Sequence, residues 1–122
     1  MRKNIIRIFS LLLILTSCND SVIMDFEIVN HTGFTIDSLK IEPNNNEEGK
    51  FISLKQGEKV ACKSDMTTIA KADGAYQISF VMDGKKQTQT FGYYTNGYPL
   101  EKRMKIEIRK DTILVTPFPG RY

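Results

Sequence analysis

The sequence contains no tryptophan, a single histidine, two cysteines and four prolines in 122 residues. One histidine rules out a metal site built on a histidine pair, and two cysteines allow at most one disulfide, too few for a stapled miniature fold. No glycine-rich loop of the phosphate-cradling kind is present. An excess of one charge is also missing once the amino terminus is set aside. The formal net charge is +3, but Arg2, Lys3 and Arg7 precede an apolar run, and without them the remaining Lys and Arg equal the 14 Asp and Glu. A neutral chain gives nucleic acid no electrostatic hold. What is there is ordinary globular usage, with 41% hydrophobic and 25% charged residues. The length suits one domain.

The first 19 residues carry a recognisable pattern. Arg2, Lys3 and Arg7 lead into Ile8, Phe9 and 11–15, followed by Thr16 and Ser17. The apolar segment, about eight residues, falls well short of the roughly 20 that cross a bilayer as a helix, so the pattern predicts a cleaved secretory signal. Leu15, Thr16, Ser17 and Cys18 resemble the lipobox of bacterial lipoproteins. That resemblance implies a cut between Ser17 and Cys18, a diacylglycerol on the Cys18 thiol and a further acyl chain on the new amino group. Two or three acyl chains make membrane attachment long-lived where one is marginal. Asn19, rather than Asp, resembles the pattern sorted to the outer membrane of the cell envelope. The organisation expected is a signal peptide (1–17), a lipidated terminus and tether (18–21), a folded domain (22–117) and a tail (118–122). With Cys18 acylated, Cys62 stands alone on the Val60 side of its strand and is expected to be buried and inert.

From Val22 onward the chain alternates apolar and polar residues with period two, broken every eight to twelve residues by Gly, Asn or Asp. This is the pattern of an all-β fold, a single immunoglobulin-like antiparallel β-sandwich of about seven or eight strands, with a small barrel as the alternative. Met24, Phe26 and Ile28 define the inner face of a first strand, whose partner is expected just beyond the turn 30–33. In 34–41, Phe34 and Ile36 lie in one phase and Leu39 and Ile41 in the other, which predicts a β-bulge at Asp37 and Ser38. The stretch 42–49 has no apolar residue and reads as a solvated loop. A crossover between sheets is expected over 65–74, in preference to a helical turn capped by Asp65. Asp83-Gly84 predicts a type I′ hairpin with Tyr76 opposite Phe91, Ile78 opposite Gln89 and Phe80 opposite Gln87. Gln87 and Gln89 put that second strand near an edge, where Lys85 and Lys86 oppose aggregation.

Chemistry-bearing residues are sparse. The acids are scattered, His31 lies in a turn far from Cys62, and no catalytic residue, metal ligand or cofactor site is assigned. The segment 91–100 departs from generic usage because it holds three of the five tyrosines between Gly92, Asn96, Gly97 and Pro99. Such a loop makes a low-entropy contact surface for protein or sugar rings, with Tyr93, Tyr94, Asn96 and Tyr98 as its candidates. Alternatively, Tyr93 or Tyr98 folds inward to plug the open end of the sandwich. Tyr94 is the expected exposed contact.

The turn Ile28-Val29-Asn30-His31-Thr32-Gly33, the loop Leu54-Lys55-Gln56-Gly57-Glu58 and the stretch 91–97 together resemble small lipoproteins of Bacteroidota. Asp20-Ser21-Val22, Asp37-Ser38-Leu39 and Asp111-Thr112-Ile113 are similar to the O-glycosylation motif of those bacteria, which implies Ser21, Ser38 and Thr112 as acceptors. Ser21 lies in the tether; Ser38 and Thr112 are expected in sheet edges. The function these readings predict is a noncatalytic, lipid-anchored module of the cell envelope that binds an envelope protein or glycan. An inhibitor or immunity-type lipoprotein is the alternative.

Overall fold

A computed structural model describes residues 20–43 and 51–118. The expected signal segment, with Ser17 and Cys18, lies outside the described residues, as do residues 44–49 of the loop expected over 42–49, whose first residue, Glu42, instead ends a strand. Among the described residues the alternating pattern yields nine strands: β1 (Ile23–His31), β2 (Ile36–Glu42), β3 (Ile52–Leu54), β4 (Lys59–Asp65), β5 (Gly74–Met82), β6 (Lys85–Thr95), β7 (Tyr98–Pro99), β8 (Arg103–Arg109) and β9 (Ile113–Pro117). They form two sheets, ordered β4-β1-β8-β9 and β3-β2-β5-β6-β7. Their facing sides share one core, so the fold is a β-sandwich.

The inner faces follow from the period of two. Met24, Phe26 and Ile28 of β1 and Met104, Ile106 and Ile108 of β8 meet Tyr76, Ile78, Phe80 and Met82 of β5 and Ile36, Leu39 and Ile41 of β2. The bulge is where the phase change requires it. Pairing of β2 with β5 slips between Asp37 and Lys40, and Ser38 takes a φ of 54°. That insertion turns Leu39 and Ile41 back to the core. The Asp-Gly hairpin has the expected register, with Tyr76 opposite Phe91, Ile78 opposite Gln89 and Phe80 opposite Gln87.

Three features depart from the sequence expectation. The turn after β1 does not bring β2 alongside it, because the two strands belong to different sheets and 32–35 is a corner between layers. Asn30 holds that corner: its amide donates to the carbonyls of Phe34 and Leu54, and its side-chain oxygen accepts from the Thr32 N–H and hydroxyl. The sandwich is not wholly antiparallel, since β1 and β8 run parallel, Phe26 beside Met104 and Ile28 beside Ile106. The third departure is in the tyrosine segment, where β6 continues to Thr95 and β7 adds a two-residue pairing.

The stretch 66–73 is the expected crossover, leading from β4 in one sheet to β5 in the other. Asp65 does not cap a helix; its carboxylate accepts from the Thr67 N–H at 3.0 Å. The strand directions define two ends. At the proximal end lie the start of β1, the crossover 66–73, the β6–β7 turn and residues 100–103. The distal end holds the corner at Asn30, the loop 55–58, the Asp83-Gly84 turn and the β8–β9 turn.

Candidate functional site: an aromatic shelf at the proximal end

Strict alternation from the buried Phe91 would turn Tyr93 inward and Tyr94 outward. The opposite is found. Gly92 takes a φ of 61° and the β5–β6 register shifts between Tyr76 and Gly74, which inserts one residue and reverses the phase. A side chain at Gly92 would press on the Tyr76 ring at 3.0 Å and the Met104 methyl at 3.1 Å, so the bulge sits where only glycine fits. Tyr94 is therefore packed against the core, its ring 5.5 Å from that of Tyr76. Opposite it, Gly74 has no side chain to collide with the phenol. Neither Tyr93 nor Tyr98 serves as the inward plug, and Tyr94 is not the exposed contact.

Tyr93 is 70% exposed, Tyr98 51% and Leu100 59%. Tyr93 and Leu100 line a hollow of about 510 Å3 bounded also by residues 73–75, 94 and 95, while Tyr98 stands on the adjoining β7. The shelf is braced from below. The Asn96 N–H donates to the Asp73 carboxylate at 2.9 Å, and the Gly97 N–H donates to the Ala72 carbonyl at 3.0 Å. Asn96 itself has a φ of 51°, a left-handed conformation that asparagine tolerates, so its role is to shape the turn. The Lys71 ammonium lies 4.8 Å from the centre of the Tyr98 ring, a cation–π contact that ties the crossover to β7.

Beneath the shelf, Phe26, Tyr76 and Phe91 form an aromatic cluster with ring centres 5.3–5.8 Å apart. The Tyr76 hydroxyl points at the Met66 sulfur at 3.6 Å, and burial pushes its phenol well above the ordinary value, with the neighbouring Tyr94 phenol adding to the shift. Tyr76 is thus a neutral core residue. Tyr94 packs on this cluster, and the exposed Tyr93 precedes it on the opposite face of β6.

The other candidates are dispersed. Cys62 is half-buried on the Val60 side of β4, packed against the core and opposite Phe26, five residues along β1 from His31. His31 is exposed at the distal end. Among the described residues, no three His, Cys, Asp or Glu side chains are grouped as a metal site would need. Ser21, Ser38 and Thr112 are all exposed. Ser38 occupies the bulge of an interior strand and Thr112 the β8–β9 turn, so neither lies in a sheet edge. Thr112 borders a second hollow, of about 320 Å3 and mainly polar, between 87–89 on β6 and 109–113.

Sequence reasoning missed Leu100, Lys71 and Asp73. A glycine interrupting an otherwise regular strand at Gly92 was the available signal that the tyrosine phase reverses. No family model, no curated protein and no solved structure matches this chain.

Proposed function

We propose that the chain is a noncatalytic module of the bacterial cell envelope, held at a membrane by acylated Cys18 and acting through surface contact rather than turnover. The observation that supports contact is the exposure of Tyr93 and Leu100 beside an open hollow, with the exposed Tyr98 on the adjoining strand of a braced base. Exposed large rings with few rotatable bonds bind with little loss of side-chain entropy, and tyrosine offers both an apolar face and a hydroxyl. The support for the anchor is the lipobox-like Leu15-Thr16-Ser17-Cys18 directly ahead of the strand-rich domain.

Labelling cells with radioactive palmitate tests the anchor: label is expected in the wild-type product and absent from Cys18→Ala. The contact surface is tested by Tyr93→Ala combined with Leu100→Ala. These side chains project outward, so thermal unfolding is expected to move little, by roughly 0.5 kcal/mol or less per site. Crosslinking of the shelf to its envelope surroundings is expected to fall. Unchanged crosslinking, with the fold intact, overturns the shelf as the contact surface.

A further inference from the structure

We infer that the aromatic shelf is the face on which the domain rests against its own membrane, so that the occupant of the Tyr93–Tyr98–Leu100 surface is the lipid interface. The inference rests on the acyl anchor proposed above and adds an orientation to it. It starts from where the chain enters the fold. The Val22 N–H donates to the Thr67 hydroxyl and the Met66 N–H donates to the Val22 carbonyl, so the domain is fixed from Val22 onward, at the proximal end. Cys18 precedes Val22 by four residues, a span of at most about 14 Å of extended chain. An acyl group on Cys18 therefore keeps the proximal end, and not the distal one, within reach of the headgroups. The nine-residue strands β1 and β5 span about 30 Å at 3.3 Å per residue, which separates the two ends clearly.

The shelf lies at that same end. Gly97 is bonded to Ala72 of the crossover, and the crossover begins where Met66 meets Val22. Among the described residues seven large hydrophobic side chains are exposed, and four of them, Ile23, Tyr93, Tyr98 and Leu100, are at the proximal end. Tyrosine is enriched at membrane–water interfaces because its ring enters the headgroup layer while its hydroxyl stays wet. The Lys71 ammonium lies over the Tyr98 ring and the Arg103 guanidinium over the Phe118 ring, so long exposed cations accompany the rings at this end. Lys102 joins Lys71 and Arg103 as a third cation, against Asp73 and Glu101, so this end carries little net charge and the seating depends on rings and aliphatic surface more than on anionic lipid. A soluble partner would have to enter the gap between domain and bilayer to reach the same surface. Seated this way, the domain turns its distal end, with His31, Lys55 and the β8–β9 turn, away from the membrane.

The absence of tryptophan makes the test direct. Mature acylated protein carrying Tyr93→Trp, and separately Leu100→Trp, is reconstituted into phosphatidylcholine vesicles with brominated acyl chains, with Lys55→Trp as the distal probe. Fluorescence of the indole at either proximal position is expected to be quenched several-fold more than at the distal position and to shift to the blue. Acylated protein whose proximal and distal indoles are quenched equally overturns the seating while leaving the anchor in place, and frees the shelf for a protein or glycan. Product whose intact mass shows no acyl chain overturns the anchor and its consequence together. Strand-type circular dichroism of each variant establishes that the probe has not unfolded the domain.

Discussion

Asn30 is completely buried, yet its side-chain amide has a partner on every side that matters: two carbonyls accept from the nitrogen, and an N–H and a hydroxyl donate to the oxygen. Its main chain adds two more bonds, accepting from the Gly57 N–H and donating to the Glu58 carbonyl. A single residue thus clamps the corner 32–35 through its side chain and the loop 55–58 through its main chain, the two distal connections that pass between the sheets. Asn30→Ala would strand at least two of those buried groups. The expected loss is about 2–4 kcal/mol of unfolding free energy, read from the midpoint of urea denaturation. A loss below about 1 kcal/mol would show that the corner is held by other means. The neighbouring His31, the residue a reader of the sequence notices first, is exposed and contributes no part of this clamp.

At the scale of elements, two bulges decide what the strands present. The one at Ser38 was legible because two apolar pairs in opposite phases cannot both be buried without an inserted residue. The one at Gly92 follows the same physics but was marked only by the glycine itself. Phe91, Tyr93 and Tyr94 all tolerate either face, so hydrophobicity alone does not reveal a change of phase among them. Its structural partner is Gly74, across the β5–β6 pair, where the Tyr94 ring covers the bare backbone. Gly74→Ala is expected to cost about 1–3 kcal/mol through overpacking, and far less in a Tyr94→Ala background, where the obstructing phenol is gone. A double-mutant cycle in thermal or urea unfolding measures that coupling. Additive losses would mean that Tyr94 does not depend on the bare backbone at Gly74. The hairpin register, by contrast, was readable to the residue, because Asp-Gly sets the turn and the turn sets every pair behind it.

For the whole molecule, the outer face of the first sheet is a lattice of opposite charges: Glu27 between Lys59 and Arg103, and Glu107 between Lys105 and Arg109. The hydrogen bond from the Lys105 ammonium, helped by the charge of Arg109, holds the Glu107 carboxyl below its ordinary value of 4.5, and the hydrogen bonds from Thr67 lower Asp65 from 3.8. Both groups bind protons less readily when folded. The stability they supply is therefore in place above about pH 4.5 and drains away as pH falls through the lowered values. Tyr76 acts at the other limit. Its buried phenol stays protonated in the fold, so its contribution is present below pH 10.0, the ordinary value, and is lost as pH rises past it. Urea midpoints measured across pH are expected to fall on both sides of a neutral plateau. In Tyr76→Phe the alkaline fall should be reduced and the acid fall retained.

By itself the sequence determined the period of two, the inner residues of most strands, the first bulge, the hairpin register and the change of layer after β4. Each of these is a local consequence of which side chains must leave water and which turns the backbone permits. Tertiary structure alone decided that β1 lies parallel to β8, that the corner at Asn30 separates β1 from β2, and that the tyrosine shelf stands at the end where the chain enters the fold. Those outcomes depend on how the two apolar faces close on each other over long separations along the chain. A pattern of alternation states that a face is buried, but not against what.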